Sequence, residues 1–200
     1  MLQLPDKINV RREADRLTVE ARIVKLTRPL AKSKIDVKWW LDLGVPTQIR
    51  KNENDNSWQW AKRLGELRQS RWHEAVAVET EDGEIQGAIL YWLNTGSFVD
   101  PQKGAVHVEA LATAPRNRPW LVSSPIYRGI GENLLLRATL HSYVVGFKGR
   151  LNLLSFPDER TVSFYENRKF EIVGEDDGLV QMELTSSKAL EWLREEGYDL

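Results

Sequence analysis

Cysteine is absent from the 200 residues, methionine occurs twice and histidine three times. The first absence excludes disulfides, thiolate nucleophiles and cysteine metal sites. His73, His107 and His141 are widely spaced and form no ligand motif, so no metal centre is expected. No apolar run approaches the roughly 20 residues that cross a bilayer. Charge of one sign is not in excess either. Lys and Arg number 28 against 29 Asp and Glu, a formal net charge of -1, whereas a general nucleic-acid binder carries a clear basic surplus. Residues 1–12 are polar and lack the apolar region of a secretory signal. The expectation is a cytoplasmic protein with neither a membrane nor a nucleic-acid partner.

What is present suits one compact domain spanning 1–200, with 42% hydrophobic and 28% charged residues. Its most informative stretch is Tyr127-Arg128-Gly129-Ile130-Gly131-Glu132-Asn133-Leu134-Leu135, a glycine loop running into an apolar helix. The first N–H groups of a helix lack intrahelical acceptors and carry the positive end of the macrodipole. Gly129 and Gly131 allow a phosphate to approach the backbone, and Arg128 adds charge beside it. Upstream, Val106 to Thr113 alternates like a strand, followed by Arg116 and Arg118.

Around this unit the periodicities predict a mixed order of elements. Residues 17–26 alternate as a half-buried strand ended by Pro29. Residues 35–43 read equally as a strand or a short helix, and 51–56 as a polar loop. Ser57 is the expected cap of a helix to about Gln69, carrying Trp60, Leu64 and Leu67 on one face. Ala75–Glu79 and Glu84–Leu93 read as a hairpin about Asp82-Gly83. After the strand 105–113, the helix behind the glycine loop should reach about Val145, and 150–155 reads as a strand. Asp158 or Thr161 should open a helix to about Asn167. Strands at 170–173 and 179–184 flank the Glu175-Asp176-Asp177-Gly178 turn, and Ser187 is the expected cap of a last helix. This order predicts an α/β (α+β) fold with a central sheet covered by helices.

Two words in this order resemble the Gcn5-related N-acetyltransferase (GNAT) superfamily. The first is Val108-Glu109-Ala110-Leu111-Ala112-Thr113 with Ile126-Tyr127-Arg128-Gly129-Ile130-Gly131, similar to the family's strand, Arg/Gln-x-x-Gly-x-Gly/Ala loop and helix. The second, Thr161 through Gly174, resembles its helix-to-strand segment around Phe-Tyr-x-x-x-Gly-Phe. Ile126 stands where the family has Arg or Gln, Lys169 where Gly precedes the Phe, and Asp158 where Asn is common. A φ > 0 turn at Lys169 would be strained.

The resemblance implies a mixed, mostly antiparallel sheet with splayed middle strands and helices on both faces. It divides the chain into a divergent acceptor-side part (1–73), an acyl-CoA-binding core (74–184) and a C-terminal helix (185–200). The implied activity is acetyl transfer from acetyl-CoA to an amine by direct attack in a ternary complex. A non-catalytic module holding CoA or a protein partner is the alternative. A dinucleotide loop is excluded, because the third glycine and any Gly-Lys-Ser/Thr are missing. The acceptor is a small molecule or peptide amine, and a homodimer is compatible with the chain.

The same resemblance assigns roles by residue. Leu111, Ala112 and Thr113 would bind the pantetheine arm between 106–113 and 150–155, against the alternative of a plain core strand. Arg128, Gly129, Ile130, Gly131 and Glu132 would cradle the pyrophosphate. Arg116 and Arg118 would assist with phosphates, or stand as solvated loop charges. Asn152 would orient the arm or the substrate. Tyr165 matches the tyrosine that protonates the departing thiolate, against a plain core role. On the strand, His107 and Glu109 share one face by period-2 alternation. A carboxylate at Glu109, partly desolvated, could accept the amine proton directly or through water; a structural ion pair is the alternative. His107 reads as packing or as support for its neighbours. Of the eight tryptophans, Trp39, Trp40, Trp58 and Trp60 fall in the acceptor-side part, as pocket lining, core or dimer surface. Helical spacing would put Trp58 and Trp60 on different faces.

Overall fold

A computed structural model describes residues 3–44, 46–67 and 71–199. Two compact units share the chain discontinuously. The first comprises Pro5–Ile89 with Ala110–Leu134, and the second Leu90–Glu109 with the chain from Leu135 on. These limits do not coincide with the three stretches at 1–73, 74–184 and 185–200.

In the first unit, β1 (Lys7–Arg12) and β2 (Thr18–Lys25) pair antiparallel, and β2 pairs in turn with β3 (His73–Glu79). Strand β1 went unread in the sequence, although Ile8 and Val10 alternate with polar neighbours and both are buried. The stretch read as strand or helix is helical. A turn at Arg28–Leu30 (α1) runs into a π-helix at Ala31–Asp36 and then α2 (Lys38–Leu41). Ile35 and Trp39 anchor it in the core, and the Trp39 indole donates to the Ile85 carbonyl at 3.0 Å. Then come α3 (Thr47–Arg50) and α4 (Trp60–Glu66).

Ser57 does not cap α4. Asp36 does so from the π-helix, its carboxylate accepting from Trp60 N at 2.8 Å and Ala61 N at 3.1 Å. That partner lies 24 residues away, beyond any local capping signature. The expected end at Gln69 lies outside the described residues. Trp58 precedes the helix and meets Trp60 edge to face at 5.9 Å.

The hairpin forms as expected. Strand β3 turns at Gly83, φ +73°, into β4 (Ile85–Gly96). Then β5 (Gly104–Thr113) ends in a 3₁₀ turn at Pro115–Asn117, and a two-residue strand, β6 (Tyr127–Arg128), pairs with β1. Helix α5 (Ile130–Val144) buries Ile130, Leu134, Leu135, Leu136, Ala138 and Leu140. Apolar residues wrap it, as suits a helix covered on most sides.

In the second unit, β7 (Leu151–Ser155) pairs with β9 (Leu179–Leu184), and β9 with β8 (Glu171–Asp176), both antiparallel. Asp158 caps α6 (Glu159–Glu166), accepting from Thr161 N at 3.0 Å. Thr185, not Ser187, caps α7 (Ser186–Glu195), because its hydroxyl lies three residues before the Lys188 N–H it accepts from. Lys169 does adopt the left-handed turn, φ +67°, and its ammonium bonds Glu191 and Glu195 of α7 at 3.0 and 2.9 Å.

Hydrogen-bonded strands follow the order β6-β1-β2-β3-β4-β5-β7-β9-β8. The sheet is mixed and mostly antiparallel. Its parallel pair, β5 with β7, couples Val106–Val108 to Leu151–Leu153. Beyond that point β7 stays paired with β9 as far as Ser155 and Val180.

Candidate functional site

The glycine loop belongs to the first unit. Gly129 has φ +83°, a left-handed conformation in which a side chain is strained, and it opens the 15-residue α5. Its carbonyl accepts from Asn133 N at 3.0 Å and from Asn133 Nδ2 at 2.9 Å. The same amide donates to Asn9 O of β1 at 3.1 Å, which ties the turn to the sheet edge. By position, the N–H groups of Ile130 and Gly131 have no intrahelical acceptor. Ile130 is buried, and so is Gly131. Arg128 is half exposed, its Nε on Glu13 at 2.9 Å. Glu132 lies in the first helical turn, half-buried.

Two arginines after β5 point inward instead of to a ligand. Arg118 is 4% exposed. All five of its N–H donors are engaged within the protein: on Glu53 at 2.8 Å, twice on Asp55, and twice on the Thr113 carbonyl, at 3.0 and 2.7 Å. Burial alone would lower its pKa, but the Asp55 and Glu53 carboxylates outweigh this and raise it. Neither expected role, phosphate contact or solvated charge, fits a guanidinium so enclosed. The Thr113 carbonyl, assigned to the pantetheine arm, is the acceptor of two of these bonds. Arg116 bonds Gln86 Oε1 at 3.1 Å and the Ile85 carbonyl at 2.9 Å. Of the neighbouring strand residues, Ala112 is buried and Leu111 half-buried.

The aromatic residues of the acceptor-side part divide in the same way. Trp39 and Trp60 are core. Trp40 carries Arg50 at 5.2 Å and Arg118 at 5.4 Å from its ring centroid, and Trp58 lies under Arg63 at 4.8 Å. A groove of about 540 Å³ in this unit is lined by Arg28, Lys32, Asp36, Gln59, Lys62 and Glu66 among others; no predicted site residue lines it.

The second unit holds the remaining candidates. Val106 and Val108 of β5 are buried, while His107 is half-buried and Glu109 exposed. The desolvation on which the Glu109 reading depended is therefore missing. Asn152 is fully buried, with both ends of its amide engaged. Its Oδ1 meets His107 Nδ1 at 2.8 Å, and its Nδ2 donates to the Gly96 carbonyl at 2.8 Å. Buried and bonded at both ends within the protein, this side chain is not presented to a cofactor arm as the sequence reading expected. Tyr165 is 8% exposed, edge to face with Phe164 at 5.1 Å and Phe170 at 5.5 Å. Burial pushes its phenol pKa well up, Arg168 opposing weakly. The raised pKa favours the neutral hydroxyl, which can donate a hydrogen bond.

No protein-family model matches the chain, and no curated protein matches it in sequence. Solved structures do. The PaiA N-acetyltransferase from Thermoplasma acidophilum in complex with coenzyme A superposes with TM-score 0.53 at 17% identity, covering 82% of this chain and 98% of that one. The GNAT domain of S. lividans PAT gives 0.59 at 15% identity, covering 88% and 95%. The chain has the GNAT fold. Mutant forms of the spermidine/spermine N-acetyltransferase SpeG from Vibrio cholerae give 0.52 at 14% identity, over 86% and 98%.

Within this GNAT-fold chain, sequence reasoning missed the Arg118–Glu53–Asp55 cluster and the His107–Asn152 pair. The partners stand 65, 63 and 45 residues apart. The one available signal for the second pair was a polar residue set between apolar neighbours on each of the two strands.

Proposed function

We propose that the protein is an acyl-CoA-dependent N-acyltransferase, moving an acetyl group from acetyl-CoA to an amine by direct attack. The observation that carries this reading is the left-handed Gly129 turn opening α5 in a chain of GNAT fold. Such a turn offers unpaired N–H groups and a positive dipole end to a pyrophosphate. Coenzyme A bound to the structurally similar PaiA supports the choice of cofactor. Gly129, Ile130, Gly131 and Glu132 supply backbone donors, and Arg128 adds charge. Leu111 and Ala112 offer backbone to the pantetheine arm.

Tyr165 hydrogen-bonds the thiolate as it departs. Its raised pKa makes full proton transfer uphill, so stabilisation by a neutral donor is the larger part of its role. The acceptor is an amine of the small-molecule or peptide class; the likeness to SpeG favours the small molecule.

The test is a thermal-shift titration with acetyl-CoA, CoA and NAD. A rise in Tm with the CoA species alone supports the reading. No shift at saturating acetyl-CoA overturns it. Thiol release over a panel of amines then identifies the acceptor.

A further inference from the structure

Resting on the acyl-transfer reading above, we infer that His107 accepts the proton of the attacking amine, with Asn152 as the residue that positions it. The Asn152 amide is bonded at both ends. Its Nδ2 faces the Gly96 carbonyl at 2.8 Å, and a carbonyl only accepts. A flipped amide would set two acceptor oxygens against each other, so its orientation is fixed. The oxygen Oδ1 therefore faces His107 Nδ1 at 2.8 Å, and it too only accepts. In the neutral imidazole the proton must then lie on Nδ1, and the lone pair on Nε2. Among the described residues Nε2 has no hydrogen-bond partner. The ring is held in the tautomer a general base needs.

Its place in the fold fits that role. His107 and Asn152 are register partners one step before the last β5–β7 pair, Val108 with Leu153. The imidazole is on the more open face of β5, shared with exposed Glu109, while Val106 and Val108 point to the core. Phe98 meets the ring edge on at 6.2 Å. Buried Glu183 of β9, the register partner of Asn152, bonds Ser97 Oγ at 2.5 Å, Phe98 N at 2.6 Å, Val99 N at 3.3 Å and pairs with Arg150 at 3.5 Å. This carboxylate fixes the turn that carries Phe98 and is engaged away from the imidazole. On the neighbouring strand positions stand the charged Glu109 of β5 and Glu183 of β9, the latter paired with Arg150.

The step balances simply. The amine nitrogen bonds to the thioester carbonyl carbon while His107 Nε2 takes one N–H proton. The carbon–sulfur bond then breaks with its electron pair on sulfur, and the thiolate is protonated from the imidazolium or solvent. Amide and CoA thiol result.

The experiment pairs binding with turnover. Wild type and His107→Ala should show equal Tm shifts with acetyl-CoA, while kcat with the active amine falls on the order of 10²–10³-fold. Added imidazole should restore part of the lost rate. A two-bond ¹H–¹⁵N correlation spectrum of the wild type should show the Nδ1–H tautomer of His107. A kcat within threefold of wild type, or a wild-type ring proton on Nε2, overturns the assignment while leaving acyl transfer intact. A wild type that neither binds acetyl-CoA nor releases thiol overturns both.

Discussion

Arg118 grips Asp55 across 63 residues of chain, its Nη1 2.7 Å from Oδ1, while the same nitrogen reaches Glu53 at 2.8 Å. One guanidinium therefore ties the loop before α4 to the end of β5, where it also takes the Thr113 carbonyl. Removing it takes the cation from two carboxylates that are almost wholly buried, Glu53 keeping its hydrogen bond from Trp120 Nε1 at 2.9 Å. Arg118→Met should cost about 3–5 kcal/mol, the usual penalty for breaking a buried pair from one side. Arg118→Lys should also be destabilising, since a point charge cannot reproduce the fork. Denaturant unfolding with an unchanged m-value measures both.

Lys169 makes a second, opposite prediction. It sits at φ +67° and its ammonium is held by exposed Glu191 and Glu195. Exposed pairs contribute little, and relief of left-handed strain offsets their loss. Lys169→Gly should thus keep a Tm close to wild type, while Lys169→Val, β-branched and without the pairs, should have a lower one. Equal Tm values for the two variants would contradict this.

Acid should weaken one ion pair in particular. Burial raises the Glu84 pKa, but hydrogen bonds from Lys34 and Lys38 at 2.9 and 3.0 Å more than offset it, leaving the carboxyl below its ordinary range. A depressed folded-state pKa gives stability that is fully present above the unfolded value, about 4.3 for Glu, and is lost as pH falls through the folded one. The Tm deficit of Glu84→Gln should therefore be largest near neutral pH and shrink below about pH 4.

Gly129→Ala should lower acetyl-CoA affinity more than it lowers stability. The left-handed φ of +83° strains any side chain by about 1–2 kcal/mol, and a Cβ also hinders a phosphate approaching the turn. Comparing the acetyl-CoA Kd with the Tm of the apoprotein separates the two effects.

Tyr165→Phe should keep the aromatic packing with Phe164 and Phe170 and retain the acetyl-CoA thermal shift. Turnover should drop about 10²-fold, the low end for a proton-transfer group. An unaltered kcat would place Tyr165 among the core residues.

The local patterns that sequence carries were legible here. Asp82-Gly83 made its hairpin, Asp158 capped its helix, and alternation over 106–113 led through the glycine loop into α5. Each depends on residues within a few positions of one another, where turn chemistry, capping and periodicity act. Residues 35–43 stayed ambiguous because a short apolar run fits either element. Burial against the rest of the first unit decided for helix.

The roles of the polar side chains were a different matter. Arg118 looked like a phosphate ligand and became a buried clasp. Asn152 looked like a cofactor contact and became the partner that fixes the His107 tautomer. Glu109 kept its place on the strand but not its burial. A side chain's chemistry depends on which donors, acceptors and charges surround it, and these came from segments 45 to 65 residues away. By itself the sequence determined most of the elements and the glycine turn, though not β1 or the helical character of 35–43. Only tertiary structure decided which polar groups are closed off within the protein and which remain able to meet a ligand, because burial and hydrogen-bond saturation are properties of the packed chain.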